Sequence, residues 1–213
     1  MPITIQENVF EGAQLGVWEI CEEPAYFLDR VTLTPLEQDV VNGLSAVRLR
    51  EWLASRYLLK VLLNAPEPLE TDSLPTGKPF LVGRSEEISL SHSGDYVAVM
   101  VGQGNVGVDI QKCKEKISKL EHKFARPEES AGIDRSREVL HLHLLWGAKE
   151  ALYKIYARKS LDFIANLHVD LPTAFDTQGT FTGQILVGTE IIPCLLRYRI
   201  FEPYVLVYGQ ESP

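Results

Sequence analysis

The chain has 213 residues, 45% of them hydrophobic and 23% charged, with a formal net charge of −8. That length can bury one sizeable core or two small ones, and the acidic balance excludes a general nucleic-acid binder, whose surface must neutralise phosphates. No apolar run approaches the roughly 20 residues that cross a bilayer, and the opening MPITIQENVFEG lacks a basic-then-apolar export signal, so a cytoplasmic protein with no membrane partner is expected.

Residues 15–20 (LGVWEI) predict an early strand, and Thr34-Pro35 followed by Glu37 predicts a helix start, with an N-cap and a first-turn proline. From Arg48 to Leu63, Leu49, Trp52, Leu53, Tyr57 and Leu58 recur at helical intervals, predicting a long amphipathic helix that ends before Pro66. Its polar stripe of Arg48, Arg50, Arg56 and Lys60 is the densest basic cluster in the chain, and a solvated face is its simpler explanation. Residues 64–79 are rich in proline and turn formers and predict a loop.

A β-meander is expected next, from EISLS (87–91), YVAVMV (96–101) and NVGVDIQ (105–111) with short turns between them. The chain is then polar and helical to about residue 135, strongly apolar and helical from about Arg137 to Arg158, and strand-like from Asn166 to Gly209. This order predicts a layered α+β fold rather than a doubly wound parallel sheet. Residues 1–104 and 105–213 read as two halves alike in element order, with no flexible linker between them.

Cys21, Cys113 and Cys194 are odd in number and far apart, so they read as small apolar residues rather than a disulfide framework or zinc site. In VGVDIQ, strand alternation puts Val106, Val108 and Ile110 on one face and Gly107, Asp109 and Gln111 on the other. If the valines face the core, Asp109 and Gln111 stand together on an open face, although an Asp near a strand end is more often a turn former. In LLWGAKEALYK, Trp146, Glu150 and Lys154 lie on one line of a helix, where the plain explanation is a Glu-to-Lys pair worth about 0.3–0.5 kcal/mol. Gly147 costs that helix roughly 1 kcal/mol relative to Ala, which points to a close approach of backbone or ligand. Ser91-His92-Ser93-Gly94 reads as a turn able to cradle an anion, or as an ordinary hairpin turn. His141 and His143 point in different directions along their helix and read as packing or surface residues.

The order GKP (77–79), SLSHSGDYVAV, VGVDIQ, WGAKEALYK resembles the three-motif signature of the phosphopantetheinyl transferase superfamily, in particular its long, single-chain, Sfp-like type. The matching stretch covers roughly residues 77–161. The resemblance implies two similar α/β halves related by a pseudo-twofold, with coenzyme A and Mg²⁺ in the cleft between them. It implies Asp109 and Glu150 as Mg²⁺ ligands, Lys154 on the phosphates, and Lys78 and His92, with Ser91 beside them, on coenzyme A phosphates. The implied activity is transfer of the phosphopantetheine arm to a serine of an acyl or peptidyl carrier protein, with a monomer expected because one chain carries both halves. Gln111 stands where many relatives carry an acidic residue, and a neutral amide there can still hold a metal-bound water. Glu37 and Gln38 replace basic residues that many relatives carry before the long helix, leaving Arg48, Arg50 and Arg56 as substitutes. A non-catalytic module that binds coenzyme A or carrier protein is the competing reading, with Gln111 as its support.

Overall fold

A computed structural model describes residues 3–64, 68–172 and 174–212. The chain divides into two units, Met1–Gln103 and Gly104–Pro213. Both are antiparallel sheets carrying one long helix, so the α+β class holds.

In the first unit, β1 (Ile3–Phe10), β2 (Ala13–Glu19), β5 (Glu87–Ser93) and β6 (Tyr96–Gly102) form a sheet in the order β1-β2-β6-β5. After the short helix α1 (Pro24–Leu28), α2 (Pro35–Asn42) starts where Thr34, Pro35 and Glu37 predict: the Thr34 hydroxyl accepts from the Glu37 N–H and the Glu37 carboxylate accepts from the Thr34 N–H. The helix α3 (Ala46–Leu63) lays Leu53, Ala54, Leu58 and Leu59 into a core with Trp18, Phe27, Val97 and Val99. A short strand inside the segment read as loop, β3 (Thr71–Ser73), pairs with β4 (Pro79–Leu81), which starts at that segment's last residue; residues 65–67 of the segment, including Pro66, lie outside the described residues.

The second unit has the sheet order β7-β11-β10-β9-β8, from β7 (Val106–Lys112), β8 (Leu167–Asp170), β9 (Gln178–Val187), β10 (Glu190–Phe201) and β11 (Tyr204–Glu211). Its polar segment is a 3₁₀ helix, Glu115–Lys123, followed by α4 (Pro127–Ala131) and a 3₁₀ turn, Arg135–Arg137. The helix α5 (Glu138–Tyr156) packs Leu142, Leu145 and Leu152 into a core with Leu167, Phe181, Ile185 and Leu196.

Two expectations are corrected. The three-strand meander does not form: β5 and β6 pair, whereas β7 pairs with β11, setting Asp109 opposite Val207. Alternation specifies a strand but not its partner, and the short Gln103-Gly104-Asn105 connection imitates a hairpin turn. Ser91, His92 and Ser93 also lie within β5, opposite Ala98, Val97 and Tyr96, so the turn proper begins at Gly94, whose φ is +59°. No described helix is long and apolar enough to cross a membrane.

Candidate functional site

The centre of the C-terminal unit is set by two glycines that let α5 lie close on the sheet. A Cβ at Gly107 would stand 2.1 Å from the Ala151 carbonyl oxygen, so helix and strand touch backbone to backbone there. One at Gly147 would meet Val207 Cγ2 at 3.1 Å and Asp109 Oδ2 at 3.6 Å, giving a reason for a glycine inside the helix. The face of Gly107 and Asp109 is therefore the one α5 covers. Asp109 is only 3% exposed, and the open face expected for it does not exist.

Inside this contact Asp109 accepts from Lys154 Nζ at Oδ1, 2.8 Å away, and from Gln111 Nε2 at Oδ2, also 2.8 Å away. Lys154 also donates to the Val108 carbonyl at 2.8 Å. The plain Glu150-to-Lys154 helix pair is thus absent among the described residues, because the ammonium crosses to the strand instead. The Glu150 carboxylate takes no hydrogen bond among the described residues. Burial, then the nearby Asp109 carboxylate, push its pKa up to about 7, with Lys154 opposing.

Trp146 does not face the carboxylates. Its ring stacks on Phe163 at 5.1 Å between centroids and meets Phe124 edge-on. Next to it is Lys149, a residue that the motif comparison alone does not single out. Lys149 is fully buried and donates to Glu129 Oε2 at 2.6 Å, the Phe124 carbonyl at 2.7 Å and the Phe163 carbonyl at 2.9 Å. A signal for it exists in the sequence: Leu142, Leu145, Lys149, Leu152 and Tyr156 follow the 3–4 spacing of one helix face, and the other four are buried core residues.

His141 and His143 are packing residues. The Asp134 N–H donates to His141 Nδ1, and His143 lies between the Val139 carbonyl and the Lys114 N–H.

In the N-terminal unit the structure brings together some of the residues expected on phosphates and separates others. Arg48 Nη1 lies 2.9 Å from His92 Nε2 and 3.2 Å from Glu51 Oε2, while His92 Nδ1 lies 3.3 Å from that same carboxylate oxygen. Arginine can only donate, so the His92 ring is the acceptor in its contact with Arg48, and the Glu51 carboxylate faces the same ring. Arg50 pairs with Asp95 at 3.0 Å, just after Ser93-Gly94. Ser91 is buried in β5. Lys78 is 8% exposed and pairs with Glu87 at 3.0 Å. Arg56 does not share the solvated face of Arg48. It is buried against Glu37 at 3.4 Å and stacked over Trp52, so it is committed to the fold. Desolvation lowers its pKa, and the Glu37 carboxylate opposes the shift.

Two carboxylates at one helix–strand contact are hard oxygen donors of the kind that suits a hard divalent cation, and Lys154 beside them is the one group there that suits an anion. Residues 105–204 of this chain match a family model described as the 4′-phosphopantetheinyl transferase superfamily. The match spans Asp109, Gln111, Glu150 and Lys154. No curated protein matches the chain.

Proposed function

We propose that this protein transfers the 4′-phosphopantetheine arm of coenzyme A to a serine of an acyl or peptidyl carrier protein, releasing 3′,5′-ADP, and that it is of the Sfp-like type, with two similar halves acting as one monomeric cytoplasmic enzyme. The observation that carries the reading is the placement of Asp109, Glu150 and Lys154 at one contact inside the segment that matches the superfamily.

Among the described residues no group of three or more His, Cys, Asp or Glu is arranged to hold a metal. Asp109 and Glu150 nevertheless fit Mg²⁺, which takes one or two carboxylates and completes its shell with phosphate oxygens and water. Burial, then the Asp109 charge, raise the Glu150 pKa, and a divalent cation held by these two residues would offset both. When bound, Mg²⁺ neutralises charge on the pyrophosphate oxygens.

The chain's own groups supply the rest. Glu150 accepts the proton of the carrier serine hydroxyl, directly or through a water. The serine oxygen then bonds to the β-phosphorus of coenzyme A, and the bond from that phosphorus to the bridging oxygen breaks, so the electron pair leaves with 3′,5′-ADP. Lys154 sets the orientation of Asp109 and brings positive charge to the developing phosphate charge. Gln111 holds the other Asp109 oxygen and is a candidate to contact the metal through its amide oxygen or a water. Lys78, Ser91, His92, Arg48 and Arg50 are assigned to coenzyme A phosphates.

A second reading, a binding module without chemistry, draws on the same geometry: both Asp109 oxygens already have protein donors, in Gln111 and Lys154. Release of 3′,5′-ADP from coenzyme A separates the two. The transferase releases it only with apo carrier and Mg²⁺ present, whereas a binding module releases none.

A further inference from the structure

The Glu150 carboxylate takes no hydrogen bond among the described residues, so its place beside Asp109 is set by where α5 lies. One residue earlier in the chain, that helix is anchored. The three Lys149 donors end on three separate segments: Glu129 of α4, the Phe124 carbonyl after the 3₁₀ helix, and the Phe163 carbonyl in the turn before β8. Glu129 is itself fixed, because its carboxylate also accepts from the Arg126 N–H at 2.8 Å and the Val169 N–H at 3.0 Å. Trp146 holds Phe124 and Phe163 by their rings, and Tyr153 stacks on Phe163, so the same segments are gripped along α5.

We infer that Lys149, with Glu129, is a positioning residue that fixes the rotation and depth of α5 and thereby holds Glu150 at the distance from Asp109 that the site needs. The inference rests on the proposed function for its kinetic consequence and on that reading's metal assignment to Asp109 and Glu150 for its binding readout, so a wild-type protein that binds no Mn²⁺ overturns both. A buried cation is a costly way to fill a core position that a leucine would fill. What it adds is direction. An ammonium aimed at two carbonyls and a carboxylate resists the sliding and turning that apolar contacts tolerate.

The test compares two double variants of the full chain. K149M/E129Q removes the donors at position 149 while leaving no unpaired buried charge, and K149Q/E129Q restores amide donors to the carbonyls. Mn²⁺ binding is measured first by electron paramagnetic resonance, without coenzyme A or carrier, with E150Q as the benchmark for a lost carboxylate. We expect K149M/E129Q to weaken Mn²⁺ binding about 10-fold or more, and K149Q/E129Q to recover most of that loss. In the transfer assay K149M/E129Q should lower kcat about 10-fold with the coenzyme A KM unchanged, and K149Q/E129Q should again recover it. A folded K149M/E129Q with wild-type Mn²⁺ affinity overturns the inference. If that variant does not fold, E129Q alone decides: it withdraws the charge that draws Nζ toward α4 and, because both Glu129 oxygens accept, also takes the acceptor from one of the Arg126 and Val169 N–H groups, so both effects loosen the same anchor. A measurable loss of Mn²⁺ affinity supports the anchor, and an unchanged affinity overturns it. Failure of wild-type protein to transfer the arm counts against the proposed function alone, because the metal titration reads the anchor without it.

Discussion

Lys154 of α5 reaches across to β7 and places its ammonium 2.8 Å from Asp109 Oδ1, inside a contact where Asp109 is almost wholly buried. The pair therefore belongs both to the fold and to the proposed site, and substitutions must be chosen to separate the two. Asp109→Asn keeps the shape and can still accept from Lys154, but it removes the charge and turns an amide donor toward either Gln111 or the lysine. Transfer should fall about 100-fold or more, and stability should fall by about 1–3 kcal/mol. A thermal melt beside a transfer assay reads both. Near-normal turnover in the Asp109→Asn variant would remove Asp109 from the metal.

The two glycines at the helix contact should behave differently. In Gly107→Ala the new methyl would meet the Ala151 carbonyl at 2.1 Å, and backbone cannot step aside as a side chain can. A loss of about 3 kcal/mol is expected, a fall in melting temperature on the order of 10 °C. Gly147→Ala gains about 1 kcal/mol of helix propensity against a 3.1 Å contact with one Val207 methyl, which can shift. Its melting temperature should stay close to wild type. Equal losses for the two variants would contradict the contact described.

Glu150 also makes stability depend on pH. Its folded pKa of about 7 lies above the ordinary 4.5, so between those values the native state holds the proton more firmly than the unfolded chain. The metal-free protein thus carries a stabilising contribution at acid pH that is lost as pH rises through that window. Glu150→Gln cannot titrate. The stability of this variant relative to wild type should therefore climb from about pH 5 to about pH 7 and level off above, as read from urea midpoints. A difference that stays flat across that range would show Glu150 to be solvated and unperturbed.

Arg48 and Lys78 should separate by their burial. The Arg48 side chain is 59% exposed, so Arg48→Ala should leave stability within about 0.5 kcal/mol while raising the coenzyme A KM about tenfold through loss of a charged hydrogen-bond donor. Lys78→Met removes the buried partner of Glu87 and should lower stability by about 1–2 kcal/mol as well as weaken coenzyme A binding. Steady-state kinetics with varied coenzyme A, set beside melts, distinguish them. An unchanged KM for Arg48→Ala would leave Arg48 as a surface residue that orients His92.

Local signals are legible in the residues, and partnership between distant residues is not. The Thr34-Pro35-Glu37 start, the long helices and the strands β5, β6 and β7 all follow from period and capping, which are properties of a few adjacent residues. The pairing of β7 with β11 depends on residues about a hundred positions apart, and nothing in VGVDIQ names its partner. For the same reason the face of Asp109 is legible as a face but not as a covered one. Gly107 is the clue, since a strand glycine marks close backbone approach. β1 and the β3–β4 ribbon escape sequence reading because their segments are polar or broken by turn formers, and their order comes from neighbouring strands. Lys149 escapes it because a lysine inside a motif is easily weighed as part of a resemblance and not by the core stripe on which it lies.

The most direct test is the intact mass of an apo acyl or peptidyl carrier protein after incubation with this protein, coenzyme A and Mg²⁺, with Glu150→Gln as control. The proposed function predicts that the carrier gains the mass of one phosphopantetheine arm, that the arm maps to a serine, and that one 3′,5′-ADP appears for each arm gained, while the control leaves the carrier unmodified. A carrier mass unchanged by the wild-type protein with every acyl and peptidyl carrier tried, although coenzyme A binds, would contradict the transferase and leave the binding module.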